Sequence, residues 1–241
     1  MPSSLLLTER NRLLCALPQH ERQRLLLSGE TVAIHVGEVL FEAYQPIRHL
    51  YFPLSGFISH SYHSSDRRSI ELGLTGYEGM LGATVILGVD TAPANAVVKA
   101  DGEALRIDIR HMQQLALTCP TLLSIIKRYL YVLLAQLMCN ATCGHYHGVE
   151  QRLARWLLTV QDCAQSEHLQ LTHSDLAGML GVRRSAISIA AGLLKTRHLV
   201  QYKRGHITII NRQALEQETC KCYAILKSEY ARQLEHIENS E

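Results

Sequence analysis

The 241-residue chain has no run approaching the ~18 consecutive apolar residues that would cross a bilayer. Its opening, MPSSLLLTERNRLLCALP, holds only a three-leucine run before Glu9 and Arg10, too short for a secretory signal. Both absences predict a cytoplasmic protein with no membrane partner. Seven cysteines are an odd number with no framework spacing, which predicts reduced thiols rather than a disulfide scaffold. A phosphate-cradling Gly-Lys-Ser loop is missing. Asp108, His111 and Ser124 supply the residue types of a catalytic triad, but no nucleophile elbow or oxyanion site accompanies them. No enzyme and no cofactor are expected. Repeats and low-complexity linkers are also lacking, and a net charge of +2 is too small to imply anything globally.

The distribution of charge says more. Between Thr172 and Arg212 stand seven basic residues (Arg183, Arg184, Lys195, Arg197, Lys203, Arg204 and Arg212) against one acid, Asp175, a local charge of +6. A basic patch on a compact unit is the electrostatic footprint of a polyanion binder. A merely solvated basic face is the alternative.

The pattern along the chain changes period. The stretch to about Cys15 predicts a short helix. From residue 31 to about 110, short β-branched or aromatic runs such as TVAIHVGEVLF, RRSIELGLT and EALRIDI are punctuated by glycine, which predicts an antiparallel barrel or sandwich. Pro120 then opens a long helix, with apolar residues at 3–4 spacing from Leu122 to Met138 and only Lys127 and Arg128 charged. So wide an apolar surface needs two partners. The barrel is one, and a second copy of the helix is the other, through Ile126, Tyr129, Leu130, Leu133 and Leu137. Complete burial inside one chain is the alternative. A second helix carries the one tryptophan, Trp156, and the tail from Gln213 reads as helical. The expected fold is α+β, divided into a sensor domain (1–119), a dimerisation helix (120–147) and a C-terminal domain (148–241).

HSDLAGMLGVRRSAISIA, residues 173–190, carries the functional signal. Leu176, Leu180, Val182, Ile187 and Ala190 stand where two helices of a helix-turn-helix meet. Ala177 lies at their closest approach and Gly181 in the turn. The second helix turns Ile187, Ala190, Ala191 and Leu194 inward, leaving Arg184, Ser185 and Ser188 outward near its N-terminus, the part that reaches base edges. Arginine can pair bidentately with guanine, and Arg183 is as well placed for phosphate as for a base. LVQYKRGHITIIN reads as a hairpin wing turning at Gly205. Lys203 and Arg204 in the wing, with Thr172 and Ser174 at the first helix start, are expected to hold phosphate.

Barrel, long helix and winged helix-turn-helix in this order resemble the Crp/Fnr family of bacterial transcription regulators. The resemblance rests on VGEVLFEAYQPIRHLYFPLSG, on GYEGMLG and on the stretch LTHSDLAGMLGVRRSAISIAAGLLKTRHLVQYKRGHITIINRQALE. It implies a cyclic-nucleotide-binding-like jelly roll, a homodimer paired along the 120–143 helix, and a pseudo-palindromic double-stranded DNA site. RNA polymerase is a candidate partner. Where cyclic-nucleotide-binding members place a Gly-Glu pair and an Arg-Ser or Arg-Thr pair, this chain aligns Gly79-Met80 and Ala94-Asn95. A thioether cannot accept a ribose hydroxyl proton, and alanine cannot neutralise a phosphate. Glu78 and Lys99 are close in sequence but out of register. The expectation is a regulator that does not use cyclic nucleotides in the usual way, with its effector unassigned. Cys15 alone near the N-terminus cannot hold an iron–sulfur cluster. His60 and His63 fall in SHSYHSSDRR, which reads as a polar hairpin tip rather than a haem site. Ser185 and Ile189 stand where many members carry a glutamate and an arginine, so the half-site should differ from the familiar one.

Two cysteine motifs remain. Cys139, Cys143, His145 and His147 have zinc-ligand types, but Gly144 is expected to end the helix and separate thiols from imidazoles. Cys220 and Cys222, spaced i, i+2, should point to different helix faces. Neither motif alone predicts a metal. The rival functional readings are a small-molecule or redox sensor whose DNA specificity has lapsed, and a cyclic-nucleotide-dependent regulator with an unusual pocket.

Overall fold

The computed structural model describes residues 10–63, 69–164, 168–203 and 205–234. Two short helices come first, α1 (Arg12–Cys15) and α2 (Gln19–Leu27), the second unforeseen in the sequence. The buried Asn11 side chain caps α1 by accepting from Leu13 N and Leu14 N, and its amide donates to Pro53 O and Gly79 O. Seven strands follow: β1 (Gly29–Ile34), β2 (Val39–Phe41), β3 (His49–Pro53), β4 (Phe57–His63), β5 (Ser69–Thr75), β6 (Asn95–Ala100) and β7 (Gly102–Asp108).

They form two antiparallel sheets, ordered β1-β7-β3 and β2-β6-β4-β5. Alternating residues of both sheets, among them Ile34, Phe52, Ile107, Ile58 and Val98, share one core. Among the described residues the arrangement is a jelly-roll-like sandwich rather than a closed barrel. His60 lies inside β4, not at a hairpin tip.

Helix α3 (Ile109–Thr118) leads into α4 (Pro120–Tyr146). Proline at the first turn fits the helix start, but Cys119 gives no side-chain cap. The buried carboxylate of Glu21 on α2 does so from across the core, accepting from Thr121 N (3.1 Å) and Leu122 N (2.7 Å). A negative charge at the positive end of the helix dipole is favourable there. With a mean hydropathy of 1.5 over its best window, α4 is long and apolar enough to cross a membrane, contrary to the sequence expectation. That length is spent differently, because one side of α4 packs into the sandwich core. Ile126 and Tyr129 are both fully buried within the chain, so neither belongs to a dimer face. Leu130 and Leu133 are half-buried against the core, while Tyr131, Leu134, Leu137 and Met138 form an exposed stripe.

The C-terminal part comprises α5 (Val149–Ala164), β8 (His168–Gln170), α6 (His173–Leu180), α7 (Arg184–Thr196), β9 (Val200–Lys203), β10 (His206–Ile209), α8 (Arg212–Gln217) and α9 (Cys222–Leu234). The hairpin turns at Gly205 (φ +84°), and β8 adds a third strand to it. A second core holds Trp156, Leu176, Ile187, Leu194 and Ile207. The tail is two helices, not one, and α9 folds back along α4. Leu234 enters the sandwich core, with Tyr230 packed against it.

Candidate nucleic-acid interface

The two-helix unit is built from local signals. Thr172 caps α6 in a reciprocal box: its hydroxyl accepts from Asp175 N and donates to the Asp175 carboxylate (2.7 Å). That hydroxyl proton is therefore engaged within the chain and is not free for phosphate. Gly181 ends α6 at φ +62°, a left-handed conformation that costs other residues energy. Leu176, Leu180, Ile187 and Ala190 are buried between the helices, Ala177 at their approach, and Val182 is half-buried.

What remains on the outer face of α7 is Arg184, Ser185, Ser188 and Ile189, all exposed, with exposed Arg183 at the N-cap. No side chain caps the start of α7, leaving its first amides as donors for an anion. Ser174 and Lys203 are exposed, while Arg204 lies outside the described residues. Ser188 Oγ donates to Arg184 O (3.1 Å), so His173 Nδ1 donates to Ser188 in turn (3.0 Å). The His173 ring rests on Tyr202 at 4.3 Å, and burial together with the Arg184 charge lowers its pKa. A neutral His173 thus holds the recognition helix against the wing. Nothing in the sequence marked it except its place beside the cap.

The basic patch is smaller than the sequence count. Arg197 pairs with Glu150 (3.0 Å) and Glu218 (2.5 Å), and Arg212 with Asp162 (2.7 Å) and Glu216 (3.2 Å). All four acids lie outside the segment that was counted.

A cavity of about 360 Å³ lies between the sandwich and α4, lined by Met80, Ala94, Phe41, Leu130, Leu134 and Leu137 among others. Among the described residues its polar lining is His60, Thr84 and Gln136, with no lysine, arginine or acid. Gly79 and Asn95 do not line it. A side chain at Gly79 would collide with the Tyr129 hydroxyl, and Asn95 Oδ1 accepts from Ala43 N (2.9 Å). His60 Nε2 meets Thr75 Oγ1 at 2.7 Å, and burial lowers its pKa to about 4, so it is neutral at physiological pH. Glu78 faces elsewhere, accepting from Gly76 N (2.9 Å) in a separate cleft with Cys163.

Strand β5 joins the two parts. Trp156 Nε1 on α5 donates to Glu71 Oε1 (2.5 Å), and Ser59 Oγ donates to Glu71 Oε2 (2.8 Å). Asn140 on α4 donates to Leu72 O and accepts from Arg155, each at 2.6 Å.

Comparison with known proteins agrees with this architecture. The cyclic nucleotide-binding domain family matches residues 31–119, and the Crp-like helix-turn-helix domain family matches residues 151–218. A sequence search of curated proteins gives no match. Similar solved structures include FixK2 of Bradyrhizobium japonicum, at 15% identity and TM-score 0.68, covering 80% of this chain and 98% of that one. The c-di-GMP responsive global regulator CLP of Xanthomonas campestris is 20% identical, at TM-score 0.66 over 80% and 99% of the two chains. A CRP-family transcriptional regulator of Thermus thermophilus is 18% identical, at TM-score 0.64 over 78% and 95%. A sandwich of this kind, a long helix and then an exposed recognition helix define a DNA-binding transcription regulator. The chain belongs to the Crp/Fnr family.

Proposed function

We propose that the protein is a homodimeric, sequence-specific regulator that reads a pseudo-palindromic DNA site without a cyclic nucleotide. The working division is a sensor unit (1–119), a dimerisation helix (120–147) and a DNA-binding unit (148–241). The observation that carries this reading is the outer face of α7, where Arg184, Ser185 and Ser188 stand exposed between Arg183 and the wing residue Lys203. Arg184 and Ser185 meet base edges, Arg183 and Lys203 meet phosphates, and Ser174 borders the contact. Ser188 contributes only the lone pair that His173 and Arg184 leave it.

Pairing uses the exposed stripe of Leu134, Leu137, Tyr131 and Met138, with Leu130 and Leu133 at its edge. Two-fold pairing along α4 sets two recognition helices about one DNA turn apart, ~34–36 Å. The cavity supports independence from cyclic nucleotides, since among the described residues no cation lines it to hold a cyclic phosphate. Contact with RNA polymerase and a cytoplasmic location follow from the same role.

The test is selection from random duplex DNA with the purified dimer, without added ligand, at two salt concentrations. A palindrome is expected, and with ~6–8 neutralised phosphates log K should fall against log salt with a slope of about −5 to −7. A folded dimer that enriches no sequence refutes the reading.

A further inference from the structure

The two cysteine motifs meet. Helix α4 continues through Gly144 to Tyr146, so Cys143 and the C-cap His147 fall one turn apart on one face, with Cys139 a turn earlier. Cys220 lies in the turn before α9 and Cys222 is its first residue, so the i, i+2 pair is not on one regular helix and both thiols turn the same way. One donor atom from each of Cys143, His147, Cys220 and Cys222 lies within 4.8 Å of all the others. Cys143 Sγ is 3.4 Å from Cys220 Sγ, and Cys222 Sγ is 3.8 Å from His147 Nδ1.

A tetrahedral zinc ion with sulfur at ~2.3 Å and nitrogen at ~2.0–2.1 Å has ligand edges of roughly 3.3–3.8 Å. The Cys143–Cys220 and Cys222–His147 edges lie within about 0.4 Å of the tetrahedral values, a shift that side-chain rotation supplies. A disulfide would need its sulfurs at ~2.05 Å. Donors this close surround one ion and leave no room for the bridging sulfides of an iron–sulfur cluster.

We infer that Cys143, His147, Cys220 and Cys222 form a mononuclear zinc site that pins the last two helices to the end of α4. Binding displaces three thiol protons to solvent and leaves the neutral imidazole as fourth ligand, so the filled site carries one net negative charge. Arg152 and Arg155 on α5 stand close enough to Cys143 to offset it.

The backbone is already held in place. Tyr223 Oη donates to Asp162 (2.7 Å) and accepts from Arg212 (2.6 Å), which fixes the start of α9 beside the cluster. Cys139, half-buried and packed against these cysteines, is a fourth sulfur at the edge of the site. The position matters because His147 caps α4 immediately before the DNA-binding unit begins.

The experiment uses untagged full-length protein purified under reductant. Elemental analysis should give about one zinc per chain, and cobalt(II) exchanged into the site should show thiolate charge-transfer and tetrahedral ligand-field bands. Cys220→Ser and Cys222→Ser should each lower zinc content about tenfold and abolish the cobalt bands, while Cys15→Ser keeps both. The cobalt spectrum of the wild type does not depend on whether any variant folds. The inference is overturned by a folded wild-type protein without zinc or cobalt bands, by copper in place of zinc, by a Cys143–Cys220 disulfide, or by zinc retained in both serine variants.

Discussion

Glu71 offers the sharpest test of how the two parts of the chain are joined. Its carboxylate sits on β5 of the sensor unit and receives the indole N–H of Trp156 on α5. Burial outweighs the hydrogen bonds from Trp156 and Ser59 and raises its pKa from the ordinary 4.5 to about 7. A shift of that size is worth roughly 3 kcal/mol. Glu71 retains some solvent exposure, which screens part of this and leaves about 2 kcal/mol.

The unfolded chain loses the proton near 4.5 and the folded chain near 7, so between these values the folded chain binds the extra proton. The contribution is complete below pH 4.5 and is lost as pH rises through about 7. Glu71→Gln keeps the shape, accepts from the indole, and can donate to Ser59, whose hydroxyl rotates. Urea unfolding of both proteins should coincide at pH 5, and the variant should be more stable by about 2 kcal/mol at pH 8. The chain has one tryptophan, so its fluorescence reports the contact directly. Emission should titrate near pH 7 in the wild type and stay flat in Glu71→Gln. Parallel stability curves, or the same fluorescence titration in the variant, would refute the reasoning.

Three further outcomes are expected. Arg184→Ala should weaken binding to the selected site by ~1–3 kcal/mol per half-site and relax base choice, measured by competition against single-base variants of the site. Leu134→Lys, placing charge in the exposed stripe of α4, should yield a folded monomer by light scattering with unchanged circular dichroism. Gly181→Val forces a β-branched residue to φ +62° and should cost ~1–3 kcal/mol in thermal unfolding while reducing DNA affinity.

Local signals were readable in the sequence, and long-range ones were not. The helix-turn-helix was legible because cap, turn glycine and apolar spacing all lie within one short stretch. Alignment with the family pattern put Gly79, Met80, Ala94 and Asn95 together at the pocket; Met80 and Ala94 do line the cavity, whereas Gly79 turns against Tyr129 and Asn95 toward Ala43. On α4, periodicity showed a surface wide enough for two partners but not which stripe each would take, so Ile126 and Tyr129 were assigned to the wrong one. The basic count overstated the patch because the acids that neutralise Arg197 and Arg212 stand elsewhere in the chain. His147 and Cys220 lie far apart in sequence, and their meeting depends on α9 folding back, which neither motif encodes.

That return of α9 bears on how the protein can be divided. Leu234 and Tyr230 complete the apolar interior of the sensor unit although they belong to the end of the chain. A fragment containing only the sandwich and α4 would expose the surface they cover. A fragment containing only the winged helix would keep Tyr223 in its core but leave Tyr230 and Leu234 of α9 without the surface they cover. Domain swaps between relatives should therefore take α9 from the same parent as the sandwich it closes, and keep Tyr223 matched to Asp162 and Arg212 of the C-terminal unit.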